Sequence, residues 1–471
     1  MLRNYSVATF NWLVAVAFVT ASVNNIAIRN ESLGLYLAVY PFVILSMVFL
    51  PKPFIIIRET KWFDWFAIVF TALVVMSAAL HPNSKSVTYV GLYGFTFIFM
   101  TILLRNAISV FGWRDFIQRS NVIGCGALSA IAVTEFFSRY IYGANPLLRL
   151  PFINPPVAVC GFDIPRSYGL SIEPTYVAWY LSTLGVVAIW YVWKQSITWI
   201  FRIAFAVLLA LAAVVTWSTS ALVACLASAV GVFAYVILFD RPRLSIWRRN
   251  IISVGSAWLV TLVAVIAVIV ITIPAPSLIP CLDYVGMKPI SQAIYGYRDM
   301  QTQILAQKEV LTNRQSVAEQ AGDETEVVRV QAALDATENS LAQIHSENGA
   351  ENSMSRYQIW KRDISKAIEK PFLGWGPGYN SSTGTSSSLN FYIAAFLESG
   401  VVGAGFLGLF LLFVGIHIAR STLPSKYVFL FAYMAGLIHL STQTRFFFPF
   451  AWLLLSLFWL ENKRQDTELA S

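Results

Sequence analysis

Three arginines, Arg166, Arg356 and Arg445, and two glutamates, Glu173 and Glu398, stand beside strongly apolar stretches of this 471-residue chain. A guanidinium is always charged, and its planar fork bonds phosphate oxygens in pairs. Two arginines on separate loops can therefore clamp a pyrophosphate. Where phosphate departs, they also stabilise the charge that develops. A carboxylate nearby could take the proton of an attacking hydroxyl, and Glu173 and Glu398 are the candidates. Each arginine alone is better explained as a surface cation. Arg166 and Arg356 differ from the rest because each opens a patterned stretch that leads into an apolar helix.

The densest pattern runs from Arg356 to Gly403: RYQIW, then KPFLGWGPGYN, a Ser/Thr/Gly run, and LNFYIAAFLESGVVG. Arg356, Tyr357 and Trp360 share one helical face, and aromatic rings beside arginine suit stacking on sugars or an interfacial belt. Lys370, Trp375, Gly376 and Asn390 complete the candidate glycan-contacting set. The turn Gly374–Gly378 lets backbone approach a ligand or the membrane closely. It lacks the Lys-Ser/Thr ending of a phosphate loop, which argues against nucleotide binding. Gly400, Ala404 and Gly408 recur at four-residue intervals, a spacing for close helix packing. Glu398, about nine residues into its helix, lies ~14 Å along it, too deep for easy snorkelling, and is expected to face a protein-lined or hydrated cavity; its alternative role is a carboxylate paired with a cation for packing.

The elements that must hold these residues are membrane helices. The chain is 57% hydrophobic and 12% charged, with a mean hydropathy of +0.63, which excludes an ordinary soluble domain. Apolar runs long enough to cross ~30 Å of hydrocarbon predict twelve spans, at roughly 8–28, 33–50, 62–80, 86–104, 118–138, 173–193, 198–216, 218–239, 251–273, 389–416, 427–443 and 447–460. The fold class expected is all-α and polytopic, with about 12 transmembrane helices and a large, mostly helical outer loop. The first span has no cleavage site and reads as a retained helix. Lys/Arg-rich short loops place both termini in the cytoplasm. The net charge of +8 is therefore a topology signal, and nucleic acid is not an expected partner. Ionisable residues gather at the outward ends of spans: Glu135, Glu173, Glu398, His439 and Arg445. Asp64 and Arg202 lie near inward ends, where capping or snorkelling accounts for them.

Three regions follow: 1–273 with nine helices and an outer loop at 139–172, a large outer loop at 274–388, and 389–471 with three helices and a cytoplasmic tail. The large loop carries ten Lys/Arg against thirteen Asp/Glu. Its 299–347 section has helical apolar spacing broken at Ala321-Gly322-Asp323, which predicts an antiparallel hairpin. The hairpin is either a self-contained stalk or a docking site for a partner. Residues 353–388 return to the membrane. Cys125 and Cys225 fall in spans and read as core packing, whereas Cys160 and Cys281 fall in outward loops and could pair. No metal-binding spacing occurs, and neither a metal nor a cofactor is expected.

Three segments together resemble the O-antigen ligase/polymerase superfamily, membrane glycosyltransferases that build surface polysaccharides. RSYGLSIEPTYVAWYL (Arg166–Leu181) is similar to its Arg-Gly-x-x-x-Pro segment. RYQIW with KPFLGWGPGYN resembles its Arg-x-x-x-Trp…Pro-x-x-Gly-x-Gly signature. LNFYIAAFLESGVVG is similar to its His-Asn-x-x-Leu…Glu-x-Gly-x-x-Gly helix start. Leu389 replaces the histidine that precedes Asn390 in that pattern, which favours a polymerase over a ligase; His439 is a possible steric substitute.

The resemblance implies a polyprenyl-pyrophosphate-linked oligosaccharide as donor and the hydroxyl of a second lipid-linked repeat unit as acceptor. Transfer would be inverting and metal-independent, in a bacterial inner membrane, with the large loop periplasmic. Arg166, Arg356 and Arg445 would hold the pyrophosphate, and a chain-length regulator is a candidate partner for the hairpin. The alternatives are a ligase that transfers to a lipid core or protein, and a flippase for lipid-linked glycans. A flippase would show internal repeats or broken helices in matching halves, which the sequence does not display.

Overall fold

The computed structural model describes residues 2–21, 23, 27–30, 33–36, 39–50, 53–142, 158–159, 164–165, 167, 169–171, 173–216, 218–239, 297–321, 326–327, 330–331, 334–335, 356–385, 387–443 and 446–470. Helices dominate: α1 Leu2–Thr20, α2 Tyr40–Val48, α3 Pro53–Arg58, α4 Asp64–Leu80, α5 Ser86–Phe111, α6 Arg114–Tyr142, α7 Pro174–Lys194, α8 Trp199–Val215, α9 Thr219–Phe239, α10 Tyr297–Ala321, α11 Arg356–Glu369, α12 Phe391–Arg420, α13 Lys426–Leu440 and α14 Pro449–Ala470. Two short antiparallel pairs join them, β1 Ala27–Asn30 with β2 Leu33–Tyr36 and β3 Ala158–Val159 with β4 Ile164–Pro165.

Among the described residues, four helices are long and apolar enough to cross a membrane: Ser86–Phe111, Arg114–Ser138, Pro174–Lys194 and Phe391–Arg420. Five shorter apolar helices accompany them, among them Asp64–Leu80 and Lys426–Leu440. Large apolar side chains stay exposed along α4, α9 and α12, the surface expected of a membrane protein. Twelve spans are not what the described residues show. The expected spans 8–28 and 33–50 are interrupted, because Ala27–Asn30 and Leu33–Tyr36 pair as a hairpin instead of continuing a helix. That leaves α2, which at ~1.5 Å per residue is about 14 Å long and too short to cross. The expected span 251–273 lies outside the described residues, as do Cys160 and Cys281. Cys125 and Cys225 are free thiols.

The bundle packs chiefly through α4 with α12, α9 with α13, α1 and α8 with α6, and α14 with α5. One end is tied by ions. Arg105 donates to both oxygens of Asp64 at 2.6 and 2.8 Å with both side chains fully buried, and its guanidinium lies 4.4 Å from the centroid of Trp459. Asp64 also accepts from the Lys61 amide, which ties the turn before α4 to its first residue. Arg114 and Gln118 hold Glu461, and Lys463 holds Glu59. These ties gather the starts of α4 and α6, the end of α5 and the polar part of α14. In α10, Arg314 pairs with Glu326 and Gln315 bonds Gln331; a second helical arm therefore lies against the first.

Candidate functional site

Glycine is what allows the Arg356–Gly403 segment to fold as it does. Helix α12 is broken at Gly400, whose φ of 68° and ψ of −175° belong to a region open almost only to glycine. In a continuous helix the Val401 amide would bond the Leu397 carbonyl. Here Val401 donates instead to the Pro371 carbonyl at 2.7 Å, and the Leu397 carbonyl accepts from the Trp375 amide at 2.9 Å. The Glu398 carbonyl accepts from the Gly376 amide at 3.1 Å, and the Ser77 hydroxyl lies 2.8 Å from it and 2.5 Å from the Leu373 carbonyl. The turn after α11 thus replaces the helical bonds that the break removes, which matters where an unpaired backbone group costs several kcal/mol.

Contact is backbone to backbone. A Cβ on Gly400 would meet the Phe372 carbonyl oxygen at 2.2 Å, and one on Gly374 would meet the Leu397 oxygen at 2.6 Å. Gly374, Gly376 and Gly378 all have positive φ. The far side of the turn rests on the α4–α5 connection, where Asn83 donates to the Pro377 carbonyl and a Cβ on Gly376 would strike the His81 carbonyl. Trp375 donates its indole N–H to the Lys366 carbonyl at 2.7 Å, while Lys366 and Lys370 lie 4.3 and 4.0 Å from its ring centroid. Burial, and then the Lys370 charge, lower the His81 pKa from its ordinary 6.5. The hydrogen bond to Glu369 raises that of Lys366.

The Glu398 carboxylate is buried beneath this turn. It accepts from the Tyr93 hydroxyl at 2.8 Å and from the Gly378 amide. Because α12 breaks just beyond it, Val401–Arg420 alone spans about 30 Å at ~1.5 Å per residue. Glu398 itself lies before the break, in the short helical arm that begins at Phe391, ~12 Å along it. A second acid, absent from the sequence-based candidates, organises the other side. Asp363 is buried on the inner face of α11 between Ile359 and Ala367, accepts from Arg362 at 2.7 Å and from Asn380 at 3.0 Å, and takes a short bond from the Ser388 hydroxyl. An acid in register with buried apolar positions was the available signal. Asn390 caps α12 by accepting from the amides of Tyr392 and Ile393. Leu389, where the resembled pattern carries histidine, has a left-handed φ of 49°.

Two further segments meet the same end of the bundle. Glu135, on α6, accepts from the Ser167 hydroxyl at 2.9 Å and the Gly169 amide at 2.7 Å. The Ser167 amide donates to Val215. These bonds pin the chain just after position 166. Glu173 follows as the half-buried N-cap of α7, where its side chain makes no capping bond. Between α7 and Tyr93 runs the chain around position 445. Gln443 accepts from Tyr176 at 3.2 Å, Phe446 stacks on Tyr93 at 4.3 Å, and Phe448 lies 4.1 Å from Tyr176. His439 is fully buried, stacks on Trp179 at 5.6 Å, and finds no hydrogen-bond partner for either ring nitrogen.

Of the expected site residues, the fold brings Lys370, Trp375, Gly376 and Glu398 together around one turn, while Asn390 caps the start of α12. Tyr357 is exposed and Trp360 half-buried on α11. The backbone of Arg356 opens α11, but its side chain, like Arg166 and Arg445, lies outside the described residues. Among the described residues no group of three or more His, Cys, Asp or Glu is placed to hold a metal. Compared with known proteins, the chain matches no family model and no curated protein.

Proposed function

We propose that this chain is a membrane glycosyltransferase that polymerises a lipid-linked polysaccharide. The observation that carries the reading is the docking of turn 371–378 into the break of α12. It holds α11, which begins at Arg356, at the end of the bundle where Glu135 pins the chain after position 166 and Phe446 packs beside position 445. Three segments, each with an arginine suited to pyrophosphate, are thereby anchored to one set of helices.

In this reading the acceptor hydroxyl of one lipid-linked repeat unit attacks the anomeric carbon of the donor glycan. The new glycosidic C–O bond forms as the bond to pyrophosphate breaks, and polyprenyl pyrophosphate leaves with the electron pair. Arg166, Arg356 and Arg445 hold the leaving group and balance its charge. Positioning carries much of the rate, because pyrophosphate already leaves readily. Glu173 takes the acceptor proton; its side chain is half-buried and makes no capping bond. Glu398 already accepts two hydrogen bonds under the turn and acts as a positioning residue.

The break in α12 also favours a second reading, since interrupted helices build the sites of transporters. Here, though, the backbone groups freed at the break are bonded by the turn. The deciding experiment is a lipid-linked glycan profile of cells carrying Arg356→Ala, with Arg356→Lys beside it at matched expression. Single repeat units that accumulate on the outer leaflet, with polymer lost, support the polymerase. Long polymer left unattached to its lipid core means a ligase, and repeat units trapped on the inner leaflet mean a flippase. An unchanged profile sinks the assignment of Arg356.

A further inference from the structure

Helix α11 has three faces where a loop helix in water needs two. Ile359, Asp363 and Ala367 are buried against the bundle, and α11 packs on α12. Arg362, Lys366 and Glu369 mark a charged face. Between these runs an apolar stripe that nothing among the described residues covers: Tyr357, Ile364, Ile368 and, just past the helix end, Phe372, the last two 63% and 69% exposed. Spacings of seven, four and four residues keep these four on one side of the helix. Lys361, four residues after Tyr357 and three before Ile364, falls within the same side and is exposed, so its long side chain can carry the charge past the apolar residues.

What covers the stripe follows from its continuity with the bundle wall. The Pro371 carbonyl accepts from Val401, so Phe372 sits next to the start of the long arm of α12. That arm carries exposed Val401, Val402, Leu409 and Leu412, and neighbouring α4 carries exposed Met76 and Leu80. Phe391–Arg420 is long and apolar enough to cross a membrane and Asp64–Leu80 is a shorter apolar helix, so their exposed side chains suit contact with acyl chains. The α11 stripe extends the same wall. An exposed apolar stripe with the bundle on one side of it and a charged face on the other describes a helix lying in the plane of the interface.

We infer that α11 is a membrane-surface helix, with Tyr357, Ile364, Ile368 and Phe372 seated in the boundary between acyl chains and headgroups and Lys361 reaching headgroup phosphate. The lipid surface anchors the element that carries Arg356, so the cation row stands at phosphate level. This holds whichever reaction the chain performs.

The test uses the full chain in nanodiscs of phosphatidylethanolamine and phosphatidylglycerol. Single nitroxides are placed by Ile364→Cys, Ile368→Cys, Phe372→Cys, Ser365→Cys and Glu369→Cys, in a background with the four native cysteines replaced. Collision with oxygen, which partitions into lipid, is compared with collision with a water-soluble nickel chelate. The expected result is a high oxygen-to-nickel ratio at 364, 368 and 372 and a low one at 365 and 369. A low ratio at all five positions overturns the inference. Shielding of the stripe from both probes also overturns it, because protein would then be the cover. Should the cysteine-free chain not fold, the unaltered protein is labelled with a lipid-soluble and a water-soluble diazirine. Lipid-soluble label on Ile364, Ile368 and Phe372 is then the supporting result, and its absence there the opposing one.

Discussion

The Val401 amide and the Pro371 carbonyl, 2.7 Å apart, form the bond by which a loop turn enters a broken membrane helix. Leu397, the helical partner Val401 has given up, is taken by Trp375. The exchange conserves backbone hydrogen bonds while bending α12 open at Gly400. Both sides of the contact are glycine-lined, so the join depends on side chains that are absent.

Replacing Gly400 by alanine should therefore break the join. The backbone conformation alone costs an L-residue about 1–3 kcal/mol, and the new Cβ would sit 2.2 Å from the Phe372 oxygen. Gly408→Ala is the control, since nothing lies within 4 Å of its Cβ position. Thermal unfolding in detergent should show a clear loss for Gly400→Ala and none for Gly408→Ala, with faster amide exchange at Trp375 and Gly376. Equal behaviour of the two variants would remove the basis for the join.

Glu173 and Glu398 should separate in kinetics. If Glu173 accepts the proton, Glu173→Gln lowers kcat roughly 10²–10⁴-fold with little change in stability. Glu398→Gln and Tyr93→Phe should instead lower the unfolding midpoint, because each disturbs a buried hydrogen bond worth about 1–3 kcal/mol. Purified protein with a lipid-linked donor supplies kcat, and a thermal scan supplies the midpoint. The reverse pattern would exchange the two roles.

At the opposite end, Arg105 and Asp64 are both fully buried. Removing one partner strands the other charge, at a cost of about 3–5 kcal/mol. Asp64→Leu or Arg105→Met alone should give poorly folded protein. The double variant should recover much of the loss, because an apolar pair of similar volume is often neutral. Size-exclusion profiles of the three variants test this, and a double variant no better than either single one would refute the pairing argument.

His81 gives the turn a pH dependence of known sign. Its folded-state pKa is lowered from the 6.5 of the unfolded chain by burial and by Lys370. The unfolded state then binds more protons below pH 6.5, so stability is complete above that value and falls as pH drops through the folded-state pKa. His81→Gln should flatten the decline in unfolding midpoint below pH 6.5. A decline unchanged by the substitution would assign it to other groups.

Much of this arrangement was legible in the amino-acid order. Gly374, Gly376 and Gly378 announced a tight turn, whereas the capping of α12 by Asn390 was not read from the sequence, which offered that residue as a glycan contact. Asp363 was missed because the basic residues around it on α11 draw attention first, although its register with Ile359 and Ala367 marked it as buried. The small-residue spacing at Gly400, Ala404 and Gly408 reads as helix packing, yet the first of these is a break and nothing stands near the third. Spacing states where a side chain is missing, not what backbone arrives there.

Hydropathy alone determined that the chain belongs in a membrane, because a mean of +0.63 leaves too little polar surface for water. The order of residues placed the candidate arginines on loops beside apolar helices and the candidate carboxylates at or within the ends of those helices. Tertiary structure decided which of them meet. The partners of Glu398 are Tyr93 and Gly378, and those of Glu135 are Ser167 and Gly169. Such pairings join distant parts of the chain through the shape of the bundle, and no local propensity encodes them. The break at Gly400 is the clearest case. A lone glycine in an apolar helix is tolerated at a cost of about 1 kcal/mol, and only the arrival of Pro371 and Trp375 turns it into a joint.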